Sequence, residues 1–293
     1  TGRVGDIRDN RRAASTPSPM SDTAAPLGLV AALKRELRDL LAAMPDARPR
    51  TIGGREFWHG TLEGHEVVAV QSRVGKVAAA ATTAALISHY RVGAVVLTGI
   101  AGGLAPGVAV GDVVVSAELL QHDLDGSPFF PRWEVPLTGV SRFPADAVLA
   151  ERAAAAARAA LADPLALFGA ALVQEFSLHA PTVHTGLIVS GDRFVRTRED
   201  RDALCAALPD ALAVEMEGAA VAQVCHEWGL PFVAIRAISD RADEAAHGDF
   251  SRFLSAICAH YGAAVVRRLL AEMPRAQGAS RDGATRPNSS TSS

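Results

Sequence analysis

The chain has 293 residues, 49% of them hydrophobic and 21% charged, with a formal net charge of -3 and 3 cysteines. That length and apolar fraction suffice for one large domain with a substantial core, or for two small ones. The slight acidic excess gives no argument for nucleic acid or an anionic membrane, both of which favour a basic surface, and no apolar run reaches the ~18 residues of a membrane span.

Residues 1–25 are rich in Arg, Ser, Pro and Asp and lack an apolar signal-peptide core. They are expected to be a disordered extension, with Met20 as the natural start. The globular pattern runs from 26 to 273, and residues 274–293, without hydrophobic periodicity, are expected to be a disordered tail. Cys205, Cys225 and Cys258 are widely spaced, which supports neither a disulfide framework nor a zinc site and fits a reducing cytoplasm.

Leu27 to Leu33 is a short apolar run, and Leu33, Leu37, Leu40, Leu41 and Met44 follow at helical spacing, so strand, loop and helix are predicted. Glu36 falls near the helix start, where a first-turn acid meets the positive end of the dipole. FWHGTLEG and HEVVAVQSRVG are predicted strands across a Gly-containing turn, and Gly75 to Tyr90 a small-residue helix. AVVLTGIAGGLAPGVAVGDVVVS reads as strand, glycine loop and second strand. Gly99, Gly102 and Gly103 permit close approach of a ligand, but such a loop is equally a plain turn, and it lacks Walker A or Rossmann spacing.

His122, Asp123 and Asp125 have no further His or Cys beside them, and are read as a structural loop with no metal. Phe129-Phe130-Pro131 and Trp133 are expected to form an exposed apolar group, which on a soluble protein marks a contact. A helix over 144–162 and a connector to about Pro181 precede VHTGLIVSGDRFV, a strand ending in Gly191-Asp192. Phe194, just past it, is core by default. A short helix is predicted over 199–208. From Asp249 one long amphipathic helix is predicted, with Phe253, Leu254, Ile257, Tyr261 and Val265 buried. Alternating strands and helices imply one three-layer α/β domain with a mixed, strongly curved sheet.

The stretch from Val214 to Asp243, VEMEGAAVAQVCHEWGLPFVAIRAISDRAD, concentrates the chemistry. Glu217 follows one strand and Asp240 another, and in an open parallel sheet both would face the crevice at the carboxyl ends. Arg236, inside an apolar strand, requires an acidic partner. Equally, Glu217 and Asp240 suit helix starts and Arg236 a structural ion pair. Spacing alone leaves both readings open.

This run closely resembles the corresponding stretch of 5'-methylthioadenosine/S-adenosylhomocysteine nucleosidases, within the nucleoside phosphorylase superfamily. TGIAGGL is similar to the family's TGSAGGL, with Ile100 for the usual serine, and SGD-x-F matches at Ser190 to Phe194. ALKREL keeps the third of three acids that the family carries in its first turn, Glu36, while the other two are Lys34 and Arg35. The resemblance implies a nucleoside phosphorylase-like fold and hydrolysis of the N-glycosidic bond of a 5'-modified adenosine, in methionine salvage, without cofactor. It implies that Asp240, presented by Ser239, protonates the purine at N7, and that Glu36 activates water oriented by Arg236. Phe194 stacks on the adenine, the backbone of Val195 reads its edge and that of Gly102 contacts the ligand. Glu217 accepts from the ribose diol, with Met216 against the sugar. It further implies a homodimer in which the divergent loop after Asp125 helps close the neighbouring site. A phosphate-dependent phosphorylase, a futalosine-type nucleosidase and a nucleoside-binding module without turnover are the alternatives.

Overall fold

A computed structural model describes residues 25–274 of the chain. The extensions expected at 1–25 and 274–293 lie outside the described residues, apart from Ala25 and Pro274. In chain order the elements are β1 (Leu27–Ala31), α1 (Arg38–Ala42), β2 (Arg48–Ile52), β3 (Arg55–Leu62), β4 (His65–Gln71), α2 (Lys76–Tyr90), β5 (Ala94–Gly103), β6 (Val113–Gln121) and β7 (Arg142–Pro144). There follow α3 (Ala147–Ala160), α4 (Pro164–Phe168), α5 (Ala170–Glu175), β8 (Val183–Ser190), α6 (Arg198–Ala207), β9 (Ala211–Glu215), α7 (Gly218–Glu227), β10 (Phe232–Asp240), α8 (Ala246–Ala256) and α9 (Cys258–Glu272).

The sheet is organised by β5, which has three partners. It pairs parallel with β1 and with β10, and its last residues, Gly102 and Gly103, pair antiparallel with Val214 and Ala213 of β9. β10 then runs antiparallel to β6, β6 parallel to β8, and β8 parallel to β9. So β5, β10, β6, β8 and β9 form a closed ring, from which β1, β4, β3 and β2 leave as an open arm. Glycine suits the corner: a Cβ on Gly103 would press on Ile238 at 3.2 Å.

Two expectations are corrected here. Gly99, Gly102 and Gly103 lie within β5 rather than in a loop after it. Nor do β9 and β10 end at one edge of an open parallel sheet. They run in opposite senses beside β5, and their ends meet because the ring closes.

Helices cover both faces, giving the expected three layers with a mixed sheet. α2 and α7 place Leu86, Ile87, Val221 and Cys225 against Val68, Val95 and Ala234. α1, α3 and α9 place Leu40, Ala153, Ala157, Val266 and Leu270 against Leu29, Val96 and Ile235. The edge strand β2, RPRTI, is almost wholly exposed and carries no apolar alternation, so periodicity does not find it. The connector after α3 contains the short helices α4 and α5.

The long C-terminal helix is in fact two, bent by 58° around Ile257. Tertiary packing sets the bend. Phe253 sits 5.7 Å from the rings of both Phe176 and Tyr261, and the Tyr261 hydroxyl donates to the Gly111 carbonyl at 2.6 Å. The turn lays α8 over the end of β10 while α9 follows α3. No single helix among the described residues is long and apolar enough to cross a membrane. The loop after Asp125 is only partly as expected: Phe129 and Pro131 are exposed, but Phe130 and Trp133 are half-buried, and the Trp133 indole donates to the His122 carbonyl at 3.1 Å.

Candidate active site

The site begins with a charge inside the ring. β10 places Arg236 opposite Gly99 of β5 and Asp240 opposite Gly102. Arg236 is 1% exposed, and its Nη2 pairs with Glu215 and lies 3.5 Å from Glu217 Oε2. Its Nε finds no partner among the described residues. Glu215 is saturated as an acceptor, taking the Arg236 guanidinium, the Ser190 hydroxyl, the Glu217 N–H at 3.1 Å and the Gly218 N–H at 2.8 Å. It serves as a counter-ion, with no oxygen left for a ligand.

Glu36 reaches the same charge from β1. It lies in the turn before α1, a shorter helix than the leucine spacing predicts, and accepts from the Leu33 N–H at 2.8 Å and the Ile100 N–H at 3.2 Å. Lys34 and Arg35 point to solvent while Glu36 is buried. Burial raises the Glu36 pKa above the usual carboxylate range, against the lowering pull of Arg236 and the two N–H groups. The two groups make no direct ion pair, yet both press on Gly99. A Cβ there would lie 2.2 Å from Arg236 Nη1 and 2.6 Å from Glu36 Oε1.

Glu217 accepts from the Gly75 N–H at 2.9 Å, and its pKa is raised to about 8 by burial and then by Glu215, with Arg236 opposing. Asp240 is 1% exposed, with the Ser239 hydroxyl 2.7 Å from Oδ2 and the Ala242 N–H donating to Oδ1 at 2.9 Å. Its pKa too is raised by burial, which outweighs both hydrogen bonds.

One cavity joins these groups. Glu36, Gly102, Phe194, Val195, Met216, Glu217 and Asp240 all line it, together with Leu33, Val74, Ile100 and Phe250. Arg236 and Ser239 stand behind the wall and reach the cavity through the carboxylates they hold. Phe194 is half-buried, edge-on to Phe250 of α8 at 5.6 Å, so it is wall rather than core. Among the described residues the Val195 N–H and carbonyl take no hydrogen bond, which leaves both for a ligand. No cluster of three or more His, Cys, Asp or Glu side chains suited to a metal occurs among the described residues, and Asp123 instead takes the Lys76 ammonium at 2.6 Å.

Sequence reasoning gave no role to Glu215, Gly75 or Phe250, and took Gly99 only as part of a glycine loop open to a ligand. Glu215 carried a signal, a second acid two residues from Glu217 beside a strand arginine. Phe250 carried none, because it reaches the site only through the α8–α9 bend.

The sequence profile of the phosphorylase superfamily matches residues 26–271. A 5'-methylthioadenosine/S-adenosylhomocysteine nucleosidase of Shewanella sp. (strain W3-18-1) is 37% identical over 246 residues, covering 84% of this chain and 98% of its own. The chain belongs to this nucleosidase family. Among solved structures, the nucleosidase of Neisseria meningitidis in complex with methylthio-immucillin-A aligns with a TM-score of 0.74 and 35% identity, over 85% of this chain and 99% of that one. The futalosine hydrolase of Helicobacter pylori strain 26695 aligns with a TM-score of 0.73 and 29% identity, over 85% and 99%.

Two predictions arise from the geometry of this cavity. Gly99→Ala must displace Arg236 or Glu36, so activity should fall at least ~100-fold, since misplacement of about 1 Å has that effect, with a stability loss of about 1–3 kcal/mol from overpacking. Near-wild-type turnover by a correctly folded Ala variant would contradict the packing described. The second concerns pH. Glu217 binds its proton more tightly folded than unfolded, so its stabilising contribution is complete below its ordinary value of 4.5 and is lost as pH rises through about 8. Gln cannot ionise. The Tm of the wild type relative to Glu217→Gln should therefore fall between those two pH values, and parallel melting curves would refute the assignment.

Proposed function

We propose that this nucleosidase hydrolyses the N-glycosidic bond of 5'-substituted adenosines, releasing adenine and a 5-substituted ribose. The observation that carries the proposal is the meeting in one cavity of two buried carboxyl groups, Asp240 and Glu36, both holding protons more tightly than usual. A raised pKa suits Asp240 as the acid that protonates N7, so that adenine departs neutral. As the C1'–N9 bond breaks, the ribose becomes an oxocarbenium ion, which the carboxylates of the cavity stabilise. Water then adds to C1', and Glu36 takes its proton, a better base for its raised pKa. Phe194 offers a flat apolar face to the purine, and the free backbone groups of Val195 and the approachable backbone of Gly102 suit its edge. Glu217 accepts from the ribose diol while Met216 packs on the sugar. Arg236 acts from behind, by fixing the carboxylates and the field in which water is deprotonated.

The names of the relatives favour 5'-methylthioadenosine and S-adenosylhomocysteine as substrates. The alignment with a futalosine hydrolase keeps a futalosine-type nucleoside as the second reading. Water rather than phosphate is the proposed nucleophile. The wall beside Glu36 carries Ile100, with no side-chain donor, Leu97 is buried, Lys34 and Arg35 face solvent, and Arg193, which also lines the cavity, is exposed and paired with Asp200, whereas a phosphate dianion needs donors around it. We also propose a homodimer, because Val74 is exposed at the cavity rim and Phe129 and Leu137 are 86% and 71% exposed. Sedimentation of a fully active monomer would exclude it.

Asp240→Asn and Glu36→Gln should each lower kcat by about 10²- to 10⁴-fold, the usual effect of losing a general acid or base, while Asp240→Asn keeps its affinity for substrate analogues. Substantial turnover by Asp240→Asn would remove the acid assignment. Product analysis with and without phosphate tests the nucleophile: free reducing ribose at an unchanged rate is expected, and a phosphate-dependent rate giving a ribose 1-phosphate would overturn hydrolysis.

A further inference from the structure

The Glu217 carboxylate is held from outside its own element. It follows β9 in a helix-entry conformation, makes no side-chain cap to its own helix, and has one oxygen 3.5 Å from Arg236, longer than a good charge-assisted hydrogen bond. Its other oxygen accepts from the N–H of Gly75, which belongs to a different part of the chain. The position of that N–H therefore decides where the carboxylate sits.

Gly75 in turn is held by its neighbour. Its φ of 98° lies in the region that favours glycine, so the peptide is not set by ordinary backbone preference. The next residue, Lys76, opens α2 and is clamped at both ends. Its backbone N–H donates to Asp192 Oδ1 at 2.8 Å, and its Nζ donates to Asp123 Oδ1 at 2.6 Å and to Gln121 Oε1 at 3.1 Å. Asp123 closes the loop, accepting from the Asp192 N–H through Oδ2 at 2.8 Å. The clamp thus ties the start of α2 to the ends of β6 and β8. The Lys76 side chain is only 14% exposed and that of Asp123 30%, so the pair is shielded in part from solvent and salt. Neither residue lines the cavity.

We propose that Lys76 and Asp123 are positioning residues for recognition of the ribose diol, acting through the Gly75 N–H on Glu217. The inference rests on the reading of Glu217 as the acceptor of that diol. It explains why an ion pair is built between α2 and two strand ends beside the site, where a surface pair alone contributes little.

The test compares kcat/KM for 5'-methylthioadenosine and its 2',3'-dideoxy analogue in the wild type, Lys76→Met, Asp123→Asn and Glu217→Gln. Glu217→Gln reports on the underlying reading, and should lose most of the preference for the diol. Lys76→Met and Asp123→Asn should each lower that preference about tenfold, the effect of one misplaced hydrogen bond. The loss should fall on the diol substrate and leave the dideoxy rate within about twofold of wild type, which fits a change confined to one contact. Equal losses on both substrates would mean that the pair is merely structural, and an unchanged ratio in both variants would likewise overturn the proposal. A Glu217→Gln variant that keeps the preference would instead overturn the diol reading on which it stands. Asp123→Asn preserves shape, so it stays informative should Lys76→Met fail to fold.

Discussion

One guanidinium buried among three carboxylates is the constraint around which the rest is arranged. Burying an ion costs several kcal/mol unless partners compensate, and Arg236 faces Glu215 directly, Glu217 at 3.5 Å and Glu36 at longer range. Glu215 alone would neutralise it. The other two acids are in excess, which is why burial leaves Glu36 and Glu217 above their ordinary pKa values despite a neighbouring cation. Both therefore take up protons readily, and a cation formed beside them would draw them back to the charged form and be stabilised by it. In the proposed reaction the oxocarbenium ion would be such a cation, and because it exists only on the way between substrate and product, the preference would act on the transition state rather than on binding.

Bringing these charges to one level requires the closed ring. β9 approaches β5 from one side and β10 from the other, in opposite senses, and only because both pair with the same glycine-containing strand do Glu215, Glu217, Arg236 and Asp240 converge. Gly99 supplies the space where Arg236 and Glu36 come closest to the backbone. Ser190 and Ser239, each a single hydroxyl at the end of a strand, hold one carboxylate apiece. Supporting groups of this kind are what keep a catalytic constellation within tolerance.

Much of this was legible in the residues, and the reason differs from place to place. The cluster around Met216 and Asp240 was marked out by an arginine within an apolar strand, which requires an acidic partner, but a structural ion pair met that need equally and only the family resemblance decided between them. Glu36 could be separated from Lys34 and Arg35 only through the family resemblance; its burial then depended on a turn that the leucine spacing had assigned to the helix. The glycines of β5 were misread as a loop, since glycine marks close approach as readily as a turn, and the two are told apart only by what lies opposite. The α8–α9 bend was invisible, because amphipathic periodicity reports which face is apolar and not where the axis points. Phe253, Phe176 and Tyr261, distant in sequence, determine that direction.

A ring of strands hydrogen-bonded all the way round also dictates traffic. No strand edge can part at this place without breaking the ladder, so nothing passes through the sheet. The rim of the cavity is marked instead by Val74 and Arg193, which line it and are exposed, and by the half-buried Phe250 of α8. Under the proposed reaction the purine and the sugar, once severed from each other, would both leave over that rim, the one bound nearer to it first.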